Sequence, residues 1–247
     1  MATELFGKKQ DYLLAPLYYL QAKKVAKTAL RLPEPDGVRI ANFNQDCDCH
    51  DLNIAIFGDS SAAGVGVDSQ DDAPFGRIGS LLAKRLQKPI HVQLHATSGH
   101  TSFDLLHRLY AMPVRSFDVA IVSIGVNDVV KRTSDKVWAD NLQGVIDLLA
   151  RKFGVSDIIF LSLPPMHLAP SLPTPLNGLI GRRAVALSKI LEQICQQQGV
   201  HYVPDEFAKS SLNRQTMFAK DGFHPSRATY DVWANTLANY VTRIVSK

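Results

Sequence analysis

Short apolar runs that alternate with segments of helical periodicity are the feature that most constrains the fold of this chain. The apolar runs predict strands over Leu52–Phe57, Ile90–Leu94, Val119–Ile124, Ile158–Leu163 and His201–Val203. Apolar residues at helical spacing predict helices over Phe75–Leu86, Ser102–Leu109, Val137–Phe153, Leu179–Gln198 and Arg227–Val245. Strands that alternate with helices build βαβ units around a parallel sheet. The sequence therefore predicts an α/β fold, a three-layer α/β/α sandwich with about five parallel strands.

The first 50 residues precede this alternating region and differ from it in composition. An apolar run from Tyr12 to Leu20 is interrupted by Pro16 and is followed by several lysines and Arg31. This pattern predicts an amphipathic helix over residues 10–30 that is bent or begins near Pro16. Residues 31–51 are rich in proline, glycine, asparagine and aspartate, which indicates a linker. We expect residues 1–50 to form a helix and linker packed on or beside a domain that spans residues 51–247.

Charge and hydropathy restrict the partners that the chain can have. The formal net charge of +4 is too small and too scattered for the clustered basic face of a nucleic-acid-binding protein. The predicted N-terminal helix either packs on the domain or makes weak contact with an anionic membrane surface through its basic face. No segment reaches the ~20 apolar residues of a membrane span, and Pro16 breaks the run that a signal peptide would need. We therefore expect a cytoplasmic location.

The cysteines indicate a reducing compartment. The chain has three, Cys47, Cys49 and Cys195, and an odd number with two of them so close together does not suit a disulfide framework. The run Cys47-Asp48-Cys49-His50 contains metal-ligating side chains, but a structural zinc site needs a second ligand pair and the sequence offers none. We interpret the run as a polar loop and expect neither a metal nor an organic cofactor.

Chemically distinctive residues follow the predicted strands, at the sheet edge where parallel sheets bind their ligands. Ser60 lies in GDSSAAG after the first strand, Gly99 in TSGHTS after the second, and Asn127 in GVND after the third. Asp221 and His224 lie in DGFHPS, just before the last helix. Ser60 alone is better explained as a helix N-cap than as a nucleophile, and the other positions alone are explained as turn residues. Together they fit a Ser-His-Asp triad, which requires convergence in space and no particular order along the chain.

The segments GDSS, TSGHTS, GVND and DGFHP also occur in the order found in the SGNH, or GDSL-like, hydrolases, and residues 52–245 resemble that family. Ser61 replaces the leucine of the GDSL motif, and the second segment, LHATSG, lacks the asparagine that members often carry before the glycine. The resemblance implies a flavodoxin-like SGNH hydrolase fold. It implies the catalytic residues Ser60, Asp221 and His224 and an oxyanion hole formed by the Ser60 N–H, Gly99 and Asn127.

A hydrolase of this family would act on carboxylic esters or thioesters of small molecules, as an esterase, lipase or acyl hydrolase. The segments LPEPDG and PPMHLAP…PLNGLIGRRA resemble bacterial intracellular members related to acyl-chain esterases and thioesterases. The residues expected around the substrate are Asp59, Met166, His167, Leu168 and Phe223. Three alternatives stay open: an O-acetyl esterase of carbohydrates or small molecules, a non-catalytic binding module, and a nucleotide-binding flavodoxin-like protein. The last is disfavoured because the glycine-rich run to Gly66 lacks Walker and GxGxxG spacing.

Overall fold

The computed structural model of this chain describes residues 9–44, 51–205 and 212–246. Within those ranges the strands of one sheet are β1 (Ile40–Phe43), β2 (Leu52–Gly58), β3 (Ile90–Ala96), β4 (Val119–Ser123), β5 (Asp157–Leu161) and β6 (His201–Val203). Their order across the sheet is β1-β3-β2-β4-β5-β6, with β2 to β6 parallel and β1 antiparallel to β3. Because parallel strands end at the same edge, the residues after β2, β3 and β4 are neighbours there.

Helices cover both faces of the sheet. The helices of the described residues are α1 (Lys9–Leu13), α2 (Ala15–Thr28), α3 (Ser60–Ala63), α4 (Pro74–Leu86), α5 (Ser102–Ala111), α6 (Val126–Lys131), α7 (Asp135–Lys152), α8 (Leu176–Gln198) and α9 (Arg227–Val245), with a 3₁₀ turn over Met166–Leu168. Helices α4 and α9 pack on one face, and α5, α7 and α8 on the other. This arrangement confirms the predicted three-layer sandwich.

Strand β2 shows why its sequence is a continuous apolar run. Ile54 and Ile56 point into the layer under α4 and α9, while Ala55 and Phe57 point into the layer under α5, α7 and α8. Side chains alternate between the two faces of a strand, so a strand covered on both faces is apolar at every position. The central position of β2 places the turn that follows it, at Asp59 and Ser60, in the middle of the sheet edge.

Strand β1 lies inside residues 31–51, so the interpretation of that whole range as a linker is wrong. It pairs with β3 from Ile40 opposite Gln93 to Phe43 opposite Ile90. Its residues are only half-buried or exposed, because an edge strand is covered on one side alone. The strand is held by Phe43, whose ring packs edge-on against Phe75 at a centroid distance of 6.2 Å. A four-residue edge strand carries too little apolar signal to be separated from a loop.

The predicted N-terminal helix is present as α1 and α2, which meet at Leu14, two residues before Pro16. Tyr18 of α2 is buried against Leu176 and Leu179 at the start of α8. One face of the helix thus packs on the domain. Cys47, Cys49 and the rest of residues 45–50 lie outside the described residues. Among the described helices, none has the length and apolarity needed to cross a bilayer.

Candidate active site

Ser60 is the first residue of α3, directly beyond β2. Gly58 ends the strand with φ at 151°, and a Cβ there would lie 1.9 Å from the carbonyl oxygen of Ser123 in β4, so only glycine permits this approach. Asp59 is the N-cap, and its Oδ1 accepts a hydrogen bond from the Ser61 N–H at 3.0 Å. Because Asp59 performs the capping, the Ser60 side chain is available for another partner.

That partner is His224, which bridges Ser60 to Asp221. The His224 Nε2 lies 2.9 Å from Ser60 Oγ, and its Nδ1 lies 2.6 Å from Asp221 Oδ2. The other carboxylate oxygen of Asp221 accepts the backbone N–H groups of Phe223 and His224, each at 3.0 Å. The spacing Asp-x-x-His therefore makes a tight turn in which the carboxylate holds both the backbone and the ring of the histidine.

The charge state of Asp221 sets the tautomer of His224. Burial alone raises the pKa of Asp221, but the hydrogen bonds from the His224 ring and from the Phe223 and His224 amides outweigh burial and lower the pKa below its ordinary value. An ionised carboxylate only accepts hydrogen bonds, so Nδ1 of His224 carries a proton. In the neutral imidazole, Nε2 then offers its lone pair to the Ser60 hydroxyl.

Gly99 lies on the loop after β3, and Asn127 lies in the first turn of α6 after β4; both strands are neighbours of β2, which precedes Ser60. Gly99 has φ at 84°, and no atom lies within 4 Å of where its Cβ would be. Asn127 Nδ2 donates to the carbonyl oxygen of His100 at 3.0 Å, and Lys131 Nζ donates to the carbonyl oxygen of Gly99 at 3.2 Å. These bonds tie the loop after β3 to helix α6 after β4. The structure thus brings Ser60, Gly99 and Asn127 to three adjacent strand ends.

A buried cluster that the sequence did not reveal supports the loop that contains Gly99 and the helix that contains Asn127. Asp128, fully buried, accepts the N–H and the Oγ–H of Ser102 at 2.8 and 2.7 Å, and Asn141 donates to Ser102 Oγ at 3.0 Å. Burial raises the pKa of Asp128. The cluster fixes the start of α5 to α6, next to Gly99 and Asn127. Its only sequence signal was the Asp that follows Asn127 in GVND, which is also ordinary turn chemistry.

Glu34, from the predicted linker, holds the other side of the Gly99 loop. Its Oε1 accepts the N–H and the hydroxyl of Ser98 at 2.8 and 2.7 Å, and its Oε2 pairs with Arg39. Arg39 also donates to the Ala96 carbonyl at 2.8 Å. Burial raises the pKa of Glu34, but the bonds from Ser98 and Arg39 outweigh it and lower the pKa. Because Glu34 precedes its partner by 64 residues, no local pattern could have identified it.

A mostly apolar cleft opens beside His224. Its apolar wall includes Val126, Pro164, Pro165, Met166, Met217, Phe218 and Phe223. Met166 and Phe223 are therefore where the sequence predicted pocket residues to be. Across the part of the chain that the structure describes, no group of His, Cys, Asp or Glu side chains is arranged to hold a metal ion.

Asp59, His167 and Leu168, also expected around the substrate, do not line this cleft. Asp59 is buried, and its carboxylate caps the N-terminus of α3. His167 is exposed, and its Cβ packs over Gly181 of α8. The 3₁₀ turn directs only its first residue, Met166, inwards, whereas Leu168 faces away and accepts a bond from Arg214 through its carbonyl oxygen.

Comparison with known proteins identifies the family. Residues 56–232 match the model of the GDSL-like Lipase/Acylhydrolase family, which is well over half of the chain. The chain belongs to the GDSL-like lipase/acylhydrolase family. This confirms the resemblance drawn from its four sequence segments. The family name describes lipases and acylhydrolases. The contacts among Ser60, His224 and Asp221 at the sheet edge are consistent with hydrolytic chemistry of that kind.

Relatives and solved structures agree with this membership. The GDSL-like esterase Rv1075c of Mycobacterium tuberculosis is 28% identical over 192 residues, which is 76% of this chain and 60% of that relative. The lipase Lip_vut3 from a goat rumen metagenome superposes with a TM-score of 0.61 at 19% identity, covering 75% of this chain and 95% of that one. The acetylxylan esterase Axe2 of Geobacillus stearothermophilus gives 0.56 at 20% identity, with coverages of 75% and 92%. At such identities the structural likeness establishes the fold.

Proposed function

We propose that this GDSL-like protein is a serine hydrolase of carboxylic esters or thioesters, with Ser60 as nucleophile, His224 as general base and Asp221 as its orienting carboxylate. The observation that carries the proposal is the unbroken chain of contacts from Ser60 Oγ to His224 and on to Asp221, at 2.9 and 2.6 Å. Nucleophile, base and orienting group within hydrogen-bond reach are the signature of an activated serine.

The geometry supports a two-stage acyl transfer. As Ser60 Oγ attacks the carbonyl carbon, His224 Nε2 takes the hydroxyl proton, and it returns that proton to the leaving alcohol or thiol when the ester bond breaks. A water molecule, deprotonated by His224 in the same way, then attacks the acyl-serine; His224 returns this proton to Ser60 Oγ as the acyl–oxygen bond breaks and the acid is released. Asp221 stabilises the imidazolium that forms in both stages.

The proposed donors to the oxyanion that develops in each stage are the Ser60 N–H, the Gly99 N–H and the Asn127 side chain. The amide nitrogen of Asn127 carries two N–H groups, and the bond to the His100 carbonyl uses one of them. That bond fixes the plane of the amide, so the second N–H keeps a set direction. Loss of one such donor typically costs about 3 kcal/mol of transition-state stabilisation.

The cleft beside His224 favours acyl chains over acetyl groups. The similar structures include a lipase and an acetylxylan esterase, so their names leave both open. An acetyl group would contact little of this mostly apolar wall, whereas a longer acyl chain could lie along it. Each methylene that enters an apolar wall contributes about 0.8 kcal/mol, or roughly fourfold in affinity. We therefore propose short to medium acyl esters as substrates.

A fluorophosphonate probe and a chain-length series of p-nitrophenyl esters test this proposal. We expect Ser60→Ala to abolish labelling and to lower kcat by at least about a thousandfold, because the nucleophile is lost. The neighbouring serine supplies the control: Ser61→Ala should still be labelled. Labelling lost in Ser61→Ala and retained in Ser60→Ala would overturn the assignment, and a folded wild-type protein without labelling would indicate a binding module. Activity highest on the acetyl ester would favour the O-acetyl esterase.

A further inference from the structure

The excess of positive over negative charge in this protein lies near its N-terminal end. Residues 9–31 contain five basic residues and one acidic residue, a balance of +4 that equals the formal net charge of the whole chain. The remaining residues therefore balance to zero. This corrects the expectation that the charge excess is scattered. The basic residues of the segment are Lys9, Lys23, Lys24, Lys27 and Arg31.

The same segment presents an exposed apolar ridge. Leu13, Leu17 and Leu20 are 84%, 41% and 62% exposed, and their spacing places them on one side of the helix. The ridge continues across the junction of α1 and α2, because the N–H groups of Leu14 and Tyr18 keep helical hydrogen bonds to residues four positions earlier. Lys24 and Lys27 extend this side of α2 with exposed cations. We call this side, from Leu13 to Lys27, the outer face.

The opposite side of α2 is fixed to the loop that forms the cleft. The Gln21 side chain donates to the Thr174 carbonyl at 2.8 Å and accepts the Leu176 N–H at 3.2 Å. Thr174 ends the loop that begins after β5 and contributes Pro164–Met166 to the cleft wall. In that loop the Ser171 N–H and hydroxyl both donate to the carbonyl oxygen of Gly222, the residue after Asp221. The outer face and the cleft are thus joined through one loop.

We propose that the outer face docks on an anionic phospholipid membrane and holds the active-site cleft at the lipid surface. The three leucines enter the boundary between headgroups and acyl chains, and Lys24 and Lys27 contact the lipid phosphates. Each basic residue near an anionic surface strengthens binding about fivefold. A second copy of this chain is the weaker occupant, because two-fold pairing of the face would bring two segments of charge +4 together.

Co-sedimentation of the full chain with vesicles tests the docking surface. The vesicles contain two parts phosphatidylcholine to one part phosphatidylglycerol, and pure phosphatidylcholine vesicles serve for comparison. We expect binding to the anionic vesicles alone, weakening as salt rises. Leu20→Gln/Lys24→Glu should lower the partition coefficient by about tenfold or more, since it removes an apolar contact and reverses a charge. Its matched control is Val185→Gln/Lys189→Glu, which changes an exposed apolar residue and a lysine at the same spacing on α8.

The outcomes separate docking from catalysis. Equal binding by wild type and Leu20→Gln/Lys24→Glu, or no binding at low salt, overturns the proposal. A concentration-dependent dimer that the double variant abolishes also overturns it, in favour of a second copy. Sedimentation does not depend on the proposed hydrolysis. The delivery of lipid-borne esters to Ser60 does rest on the proposed hydrolysis. If it occurs, the double variant should keep its hydrolysis rate on a water-soluble ester and lose rate on the same acyl ester embedded in vesicles.

Discussion

The carboxyl group of Asp59 lies one residue from Ser60, yet it is fixed away from the substrate. It is 1% exposed, and burial raises its pKa to about 7 even though the Ser61 N–H and the nearby His224 act in the opposite direction. An unfolded chain ionises this group near pH 4. Between these two values the unfolded state loses the proton while the folded state keeps it. Stability contributed by Asp59 is therefore fully present below about pH 4 and is lost as the pH rises through about 7.

Asp59→Asn should remove this pH dependence, because asparagine does not titrate and still offers an oxygen to the Ser61 N–H. Relative to wild type, we expect the variant to gain free energy of unfolding as the pH rises from 5 to 8, by about 3 kcal/mol at most. Urea unfolding at several pH values measures the gain. Asp68→Asn, at an exposed position, controls for the loss of one negative charge. A difference between Asp59→Asn and wild type that stays constant across this range would contradict the prediction.

At the scale of elements, the sequence predicted the strands that are covered on both faces and missed the strand at the edge. The central strands were predicted because helices cover both of their faces. The predicted end of β5 was Leu163, whereas the strand ends at Leu161. There the chain leaves the sheet and the Leu163 N–H bonds to Ser188 instead. Strand β1 was missed because it is short and lies at an edge. Glu34 precedes β1 in the range that was interpreted as a linker. That range therefore also contains a residue that holds the Gly99 loop in place.

Removing the Glu34 side chain should slow catalysis without unfolding the protein. Glu34→Ala removes both hydrogen bonds to Ser98 and the partner of Arg39, and thereby frees the loop that presents Gly99. We expect kcat on a short ester to fall about tenfold, with a smaller change in KM, since the oxyanion donors act in the transition state.

Two further variants separate positioning from general damage. Glu34→Gln keeps an oxygen for the Ser98 N–H and hydroxyl, so it should recover much of the lost kcat. Glu192→Ala, at an exposed position on α8, should behave as wild type. Unchanged kcat in Glu34→Ala, or an equal loss in the alanine and glutamine variants, would show that Glu34 does not position the loop.

In the whole molecule, the cleft is assembled from segments that are distant in the sequence. Val126 follows β4, Met166 follows β5, and Met217 and Phe223 precede α9. The residues of the proposed triad could be predicted from the sequence because each lies in a short recognisable segment. The wall of the cleft has no such segment, so the sequence predicted Met166 and Phe223 and missed Met217. Side chains that line the same cleft but share no sequence motif can be identified only from the folded structure, in which the sheet brings their loops together.

A bulkier side chain at position 126 should shorten the acyl chain that the cleft accepts. Val126 is half-buried on the wall, so a phenylalanine there can extend into the cleft without displacing the core. We expect Val126→Phe to lower kcat/KM for an octanoyl ester about tenfold more than for an acetyl ester. About two excluded methylenes, at about 0.8 kcal/mol each, account for that ratio. The measurement is kcat/KM across a series of p-nitrophenyl esters.

The same helix provides the control for this prediction. Val130 lies one turn beyond Val126 on α6, is 52% exposed and is not part of the cleft wall, so Val130→Phe adds the same bulk outside the cleft. It should leave the ratio of octanoyl to acetyl activity unchanged. A uniform loss on both esters in Val126→Phe would indicate disturbance of the neighbouring Asn127. An unchanged ratio would mean that the acyl chain binds elsewhere, because a chain lying along Val126 would meet the added ring.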